Sequence, residues 1–563
     1  MMKSLRWQII VAAVALIVIA VLLLGRGRSD NPFNAERASG GVYTEALIGS
    51  FGRLNPVLDF YNQPDQDIDR LLFSGLLRFD SLGNPIADLA EAWGIAVDGK
   101  SYNLSLKENL VFHDGAPLTS EDIIFTIDLL RNPDLPVPAD LREFWISIEV
   151  QAFDERTLQF RLTEPFAPFL DYLTFGVLPK HILGELSAPE LINAEFNLSP
   201  VGSGPYEFEQ LLIEDENVSG IVLKAFEGYF QKRALIDQVI FRYYDSSTAA
   251  LDAYRQDQVN GIGQVTPDIL MDVLAEPALN IYSGRLPQLT MVVMNLNSPD
   301  LPFFQDVEVR RALLTGLNRQ KMVRRILSGQ AVLADSPLFP GTWAYYDGLE
   351  RVEYSPNAAL DQLRAAGYRI PAEGGNIRAK DSVLLAFDLV HPNTETHTAI
   401  ARSIQQDWAR LNVKVNLVAV EYTSLVSDYL EPRNFQAALI DINLAGYSDP
   451  DPYPFWHQAQ ATGGQNYAGW NDRRASEYLE QARVTIDHDQ RIRLYRNFQV
   501  HFSREMPAIL LYYPIYNYAI SDQVGGVRMG PLFDPSDRFF NLVTWFLHAR
   551  GQIEDIISPS ELP

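Results

Sequence analysis

The sequence contains no cysteine in 563 residues. This absence excludes disulfide bonds, metal sites built from thiolates, and a lipid attached to a cysteine near the N-terminus. The compartment in which the protein works therefore has to be inferred from other features of the chain.

Basic residues are comparatively few. There are 46 lysines and arginines against 71 aspartates and glutamates, and the formal net charge is -25. A surface of this charge repels phosphate backbones, so we expect no nucleic-acid partner. The sequence also lacks internal repeats and low-complexity tracts, and its length predicts roughly three or four compact units rather than one core.

One long apolar run lies near the N-terminus. Residues 9–24 are all aliphatic or alanine, and Lys3 and Arg6 precede them. Such a run is long and apolar enough to enter a membrane. No convincing small-x-small cleavage site follows, which favours an uncleaved anchor over a cleaved signal peptide. We therefore expect a membrane segment in residues 1–30, a linker in residues 31–40 and an exported acidic chain after them.

The clearest α/β pattern lies in residues 382–420. The apolar residues Ile400, Ile404, Trp408 and Leu411 recur at helical spacing between two strand-like runs. Trp408 is therefore expected in the core rather than in a site. Repeated alternation of strands and helices along the chain predicts an α/β architecture.

Two local patterns in the first half also predict structure. Thr119 and Asp122 stand three residues apart at the start of an apolar segment, which predicts a capping box at a helix N-terminus. The apolar residues from Leu71 to Phe79 predict a helical segment that ends at the turn Gly83-Asn84-Pro85.

The stretch AGYSDPDPYPFWH spans residues 445–457. It contains three prolines, two aspartates and the four aromatic residues Tyr447, Tyr453, Phe455 and Trp456. Its alternating prolines predict a stiff loop that is neither a helix nor a central strand. The loop follows a strand-like run, Phe435–Asp441, and ligands bind outside the carboxyl ends of strands in open α/β sheets. We predict that the loop lines a binding site; the alternative is a cap on the core.

Catalytic motifs are missing. No nucleophile elbow, P-loop or metal-finger spacing occurs, and His391 and His397 do not have the spacing of a zinc-binding HExxH helix. Asp449 and Asp451 form a carboxylate pair of the kind that glycosidases use, but such pairs arise easily by chance in an acidic chain. We predict a binding protein rather than an enzyme, without a cofactor or a metal site.

Residues 71–130 resemble the family 5 extracellular solute-binding proteins, which are the oligopeptide, dipeptide and nickel receptors of ABC importers. Further matches follow in the family's order: FGVLPKHIL, VGSGPYEF, DVEVRRALLTGLNRQKMVRRILSGQAVLADSPLFPG and SDPDPYPFW. The resemblance implies an α/β, two-lobed periplasmic-binding-protein-like fold (type II, cluster C) with an inserted subdomain and a hinge. On this pattern lobe I comprises residues 41–287, with an insertion at about 56–200, and residues 510–563; lobe II comprises 288–509, and hinge strands lie near 285–292 and 507–513.

The resemblance also implies how a ligand is held. Family members bind an extended peptide through main-chain hydrogen bonds, with its side chains in hydrated pockets. In peptide-binding members an aspartate pairs with the α-ammonium group of the ligand, but Gly446 stands at that position here. Asp449 and Asp441 are the candidates to replace it, and oligosaccharides or other small solutes stay open as ligands. The predicted ligand-binding residues are Tyr61, Asn295, Tyr447, Asp449, Trp456, Asn466 and Tyr467.

Taken together, these features predict a monomeric extracytoplasmic receptor. It would be tethered to the membrane by residues 9–24 or secreted after cleavage, and it would deliver a peptide-like solute to an ABC permease. Two other classes stay open: a sensor that presents its ligand to a signalling partner, and a hydrolase with acid chemistry in the cleft.

Overall fold

The computed structural model describes residues 39–80, 83–372, 374–444, 448–530 and 532–548, so the predicted membrane segment at 9–24 lies outside the described residues. The strands in chain order are β1 (Val42–Ile48), β2 (Leu77–Phe79), β3 (Pro85–Ala87), β4 (Ala90–Ile95), β5 (Ser101–Leu106), β6 (Glu149–Ala152), β7 (Thr157–Arg161), β8 (Tyr206–Glu214), β9 (Asn217–Ala225), β10 (Gln238–Tyr244), β11 (Gly261–Ile262), β12 (Leu279–Arg285), β13 (Gln288–Met294), β14 (Ala331–Leu333), β15 (Ala379–Lys380), β16 (Val383–Leu384), β17 (Ala386–Pro392), β18 (Lys414–Val420), β19 (Ala437–Asn443), β20 (Ala508–Ser521), β21 (Val524–Gly525) and β22 (Phe546–Leu547).

The α-helices span Gln63–Leu72, Ser120–Arg131, Ala139–Ile146, Lys180–Leu183, Ala188–Ile192, Ser247–Arg255, Leu270–Leu274, Val307–Thr315, Arg319–Arg325, Pro356–Ala365, Glu395–Ala409, Tyr422–Ser424, Tyr453–Trp456, Arg473–Val484 and His488–Glu505. Shorter 3-10 helices span Ala167–Leu173, Glu195–Asn197, Pro302–Phe304, Gln458–Ala461, Pro535–Phe539 and Leu542–Thr544, and a π-helical turn spans Leu425–Leu430.

A 12-stranded mixed sheet runs through the molecule in the order β18-β17-β19-β13-β20-β11-β1-β10-β9-β8, with β12 and β14 also paired to β20. The strand β20 has 14 residues. Its first part pairs with β13, up to Tyr512, and its second part pairs with β12 from Ile515 onward. One long strand therefore belongs to both halves of the sheet.

The buried apolar side chains divide at the same place. One group of side chains comes from residues 43–286 and 516–545, and the other comes from residues 289–513. Each group encloses its own part of the sheet, so the described chain forms two lobes. We name residues 39–286 and 516–548 lobe one, and residues 289–513 lobe two.

A second sheet, β4-β5-β7-β6, lies in the part of lobe one between β1 and β8. The predicted capping box at Thr119 and Asp122 is confirmed at the start of the helix Ser120–Arg131. The predicted helix from Leu71 to Phe79 is wrong, because the helix begins at Gln63 and ends at Leu72. The Gly204 N–H donates to the Leu72 carbonyl at 2.8 Å, and Ser74 bonds to Ser203, so tertiary hydrogen bonds hold the following residues extended.

The predicted βαβ unit is confirmed in lobe two. Strands β17 and β18 are parallel neighbours, and the helix Glu395–Ala409 connects them. Ile400, Ile404 and Trp408 are fully buried, and the Trp408 indole N–H donates to the Leu313 carbonyl at 2.9 Å. Trp408 is therefore a core residue, as its position in the apolar stripe predicts.

Lobe one also buries a carboxyl pair, Asp59 and Asp69, with side chains almost inaccessible to water. Burial raises the pKa of Asp59 to about 7, and the negative charges of the nearby Asp65 and Asp534 act in the same direction. Between about pH 4 and pH 7 the folded protein therefore holds more protons than the unfolded chain, and stability is lost as the pH rises through this window.

Asp59→Asn removes this ionisation. We expect the variant to raise the free energy of unfolding at pH 8 by about 2–4 kcal/mol, with little difference from the parent at pH 4. Urea unfolding at the two pH values measures the effect, and Asp128→Asn, at a solvent-exposed helix position, is the matched control. Equal stabilities of Asp59→Asn and the parent at pH 8 would contradict the assignment.

Candidate functional site

The proline-rich segment after β19 is partly helical. Residues Tyr453–Trp456 form one helical turn, with Pro452 at its N-cap and Pro454 at its second position. The prediction of a loop without helix is therefore wrong for these four residues. A helix needs no backbone N–H in its first turn, so proline is tolerated there although it breaks a helix interior.

Two of the predicted site residues hold this segment on the core of lobe two. Trp456 is 2% exposed, and its ring packs edge-on against Phe502 with centroids 4.7 Å apart. The buried Asn466 amide donates to the carbonyls of His457 and Trp470 at 3.2 and 2.9 Å. These contacts hold the backbone of the segment against the core of lobe two.

Ion pairs hold the acidic residues of the proline-rich segment in place. The Asp449 carboxylate lies 2.6 Å from the Arg491 guanidinium, with both side chains buried. Burial raises the pKa of Asp449 to about 6, and the positive charge of Arg491 acts against that rise. Asp451 pairs with Arg483 at 2.7 Å, and the Arg483 guanidinium also lies 3.7 Å from the centre of the Tyr453 ring.

Two more predicted residues share a neighbour, Arg433. The Asn295 amide donates to the carbonyls of Arg433 and Phe435, and the Arg433 guanidinium lies 4.8 Å from the centre of the half-buried Tyr467 ring. Tyr61 is in lobe one and is 82% exposed. Tyr447 lies outside the described residues.

The segment also touches lobe one. The Ser448 hydroxyl donates to the Gly83 carbonyl at 2.6 Å, and the Asp449 backbone N–H donates to the Asp171 carboxylate at 2.5 Å. The Arg483 guanidinium lies 5.5 Å from the centre of the Phe166 ring. The proline-rich segment is thus placed at the interface between the lobes.

A second polar cluster lies at the carboxyl end of β19. Asp441 pairs with His397 at 2.9 Å, and the Thr290 hydroxyl donates to Asp441 at 2.6 Å. The Asp441 side chain is 31% exposed, whereas that of Asp449 is 7% exposed. Of the two candidates to replace the missing aspartate at Gly446, Asp441 is the more accessible.

Other features of the described residues do not point to a different site. They contain no group of three or more His, Cys, Asp or Glu residues that could hold a metal ion. A surface cavity of about 440 Å³ is lined wholly by lobe one residues, including Val42, Glu207 and Lys224. It lies against β8–β10 and receives no side chain from lobe two.

Comparison with known proteins identifies the family. The model of the "Bacterial extracellular solute-binding proteins, family 5 Middle" matches residues 84–466. The chain belongs to this family. The match includes β19 and most of the residues of the lobe interface, and the resemblance drawn from the sequence motifs is confirmed.

Among curated proteins, the oligopeptide-binding protein AppA of Bacillus subtilis (strain 168) is 26% identical over 545 residues, which cover 94% of this chain and 97% of AppA. The dipeptide-binding protein of Escherichia coli (strain K12) is 26% identical over 471 residues, covering 79% of this chain and 84% of that protein. The solved structure of Bacillus subtilis AppA in complex with a nonapeptide matches at 25% identity with a TM-score of 0.69, and it covers 91% of this chain and 100% of that one. The expected two-lobed periplasmic-binding-protein-like fold is confirmed.

The family's name describes extracellular proteins. Within the ranges that the structure describes, no helix has the length and apolar character needed to span a bilayer.

Proposed function

We propose that the protein is the extracytoplasmic substrate-binding component of an ABC importer, which encloses a peptide-like solute between its lobes and delivers it unchanged to a membrane permease. The observation that carries the proposal is the placement of the segment 448–457 at the lobe interface, braced by buried ion pairs. The peptide-binding relatives that match nearly the whole chain support the same ligand class.

The division into domains expected from the sequence is part of this proposal. Lobe I would comprise residues 41–287 and 510–563, with the insertion at 56–200, and lobe II residues 288–509. The separation of the two groups of buried side chains near residues 286–289 and 513–516 supports it. Closure would then bend β13 and β20, the two strands that lie at the crossing.

We divide the predicted pocket residues by role. Tyr61, Tyr447 and Tyr467 are proposed to contact ligand, because tyrosine rings offer a large contact area at low entropic cost. Asn295, Asp449, Trp456 and Asn466 are proposed to hold the wall in place, since the side chains of these residues are engaged within lobe two. The monomeric state, the membrane tether at residues 9–24 and the absence of catalytic activity belong to the same proposal.

The ligand class can be tested by thermal shift and calorimetry with two panels, one of oligopeptides and one of oligosaccharides. A ligand at 100 times its Kd stabilises the folded state by about 2.7 kcal/mol, which gives a clear shift in Tm. We expect the peptides to shift Tm and the sugars to have no effect. Binding of sugars alone would refute the peptide assignment, and release of cleaved peptide would support the hydrolase alternative.

A second comparison tests Asp441. If its partly exposed carboxylate receives the ligand's ammonium group, Asp441→Asn is expected to weaken peptides with a free N-terminus by about tenfold or more, because a charge-assisted hydrogen bond is lost. The same variant would leave N-acetylated peptides unaffected. Equal losses for both kinds of peptide would show that Asp441 acts only on the structure of lobe two.

A further inference from the structure

The contact between Asp171 and the proline-rich segment has a definite geometry. Asp171 lies in the 3-10 helix Ala167–Leu173 of lobe one and is 7% exposed. Its carboxyl group accepts the backbone N–H of Asp449 at 2.5 Å. A backbone donor of one lobe is thus paired with a buried side-chain acceptor of the other.

This bond exists only when the lobes meet. A backbone N–H that is buried at an interface needs an acceptor, and water fills that need when the lobes separate. The donor is presented in a fixed direction, because the Asp449–Arg491 pair and the Asp451–Arg483 pair anchor the segment to lobe two. A rigidly held donor facing a buried acceptor favours one relative position of the two lobes.

We propose that Asp171 is the latch of the closed form, holding the lobes together by accepting the Asp449 backbone N–H group. This inference rests on the proposed function for its biological meaning, since a latch matters to a receptor that opens and closes around its ligand. It assigns closure to a residue outside the predicted ligand pocket.

The latch has a consequence for pH. Closure brings the Asp171 carboxyl group to a site that already holds Asp449, and the charged and titratable groups around it are Asp449, Asp451, Arg483, Arg491, Tyr172 and Tyr495. Burial and the Asp449 charge raise the pKa of Asp171 well above its usual range, against the opposing effects of the Asp449 N–H group and Arg491. Separation of the lobes is expected to expose Asp171 to water, so closure would take up protons and become more favourable as the pH falls.

The cysteine-free sequence makes the test direct. Glu143→Cys and Asp489→Cys place one probe on an exposed position of each lobe, and the distance between the probes is measured by double electron–electron resonance without added ligand. Asp171→Ala removes the acceptor, Asp171→Asn keeps an acceptor without charge, and Asp128→Ala is the control at an exposed aspartate of the same part of lobe one.

We expect the parent to contain a closed population, which Asp171→Ala depletes relative to the open population by about tenfold or more, because a hydrogen bond to a charged carboxylate is lost. Asp171→Asn is expected to retain the closed population and to weaken its dependence on pH between about 5 and 8. The closed population of the parent is expected to increase as the pH is lowered toward about 5. Circular dichroism on each variant confirms folding.

The latch is contradicted if the parent shows no closed population, or if Asp171→Ala and Asp128→Ala give the same distance distribution. Titration of the parent with the oligopeptide panel separates this result from a failure of the proposed function. If the parent binds no peptide but Asp171→Ala loses the closed population, the result would refute the proposed function and support the latch. If the parent binds peptide but Asp171→Ala has the same distance distribution as the parent, the result would support the proposed function and refute the latch.

Discussion

Replacing Arg538 with methionine is expected to lower the free energy of unfolding by about 3–5 kcal/mol, the cost of removing one partner from a buried ion pair. The Arg538 side chain is 1% exposed and lies 2.8 Å from Glu45 and 2.7 Å from Asp67. Glu45 is in β1 and Asp67 in the helix Gln63–Leu72, so the arginine joins the C-terminal part of lobe one to its N-terminal part. Burial raises the pKa of Glu45 and the Arg538 charge opposes that rise, so loss of the arginine leaves two carboxyl groups without their compensation.

Arg364→Met is the matched control. Arg364 pairs with Asp361 at 2.6 Å, but both side chains are more than half exposed. Exposed pairs of this kind contribute at most about 1 kcal/mol. Urea unfolding compares the two variants with the parent, and equal stabilities of Arg538→Met and Arg364→Met would show that the buried network contributes little.

Trp456→Ala is expected to lower the free energy of unfolding by about 3–5 kcal/mol, the range for truncating a buried tryptophan. The Trp456 ring packs against Phe502 and Trp470 inside lobe two. Loss of the ring removes apolar contacts and leaves a cavity beneath the segment that meets lobe one. Weaker peptide binding is expected to follow as a secondary effect, because the braced position of that segment is lost.

Two further variants distinguish a role of Trp456 in stability from a role in ligand contact. Trp456→Phe retains most of the apolar volume, so its loss of stability is expected to be smaller, and Tyr61→Ala at an exposed position is expected to change stability by less than about 0.5 kcal/mol. Peptide affinity is measured for all three variants by calorimetry. If Trp456→Ala abolished binding but left stability unchanged, the tryptophan would be a ligand-contacting residue instead of a support for the wall.

Local patterns predicted much of the fold. The stripe of Ile400, Ile404 and Trp408 and the capping box at Thr119 are signals carried by residues a few positions apart, and the structure confirms both. The chain after Leu72 shows the limit of such signals. Its apolar residues are compatible with a helix, but hydrogen bonds to Ser203 and Gly204 draw it into an extended conformation.

The candidate site was also proposed from the sequence, because a rigid aromatic segment after a buried strand lies at the carboxyl edge of a sheet. The residues that contact this segment could not be predicted from the sequence. Asp171 and Asp449 are separated by 278 positions, and nothing in the neighbourhood of either residue indicates the other. Arg491 and Arg483 occupy ordinary helix positions in the sequence, and only the folded chain shows that their charges are used inside lobe two.

The central claim is that the two lobes close on a peptide. Its most direct test is the distance between probes at Glu143→Cys and Asp489→Cys, measured while the oligopeptide that binds best is titrated into the full chain. We expect the distance distribution to shift to a single short distance in proportion to the fraction of bound peptide. A distribution that stays unchanged at saturating peptide, or that responds to sugars and to no peptide, would contradict the account.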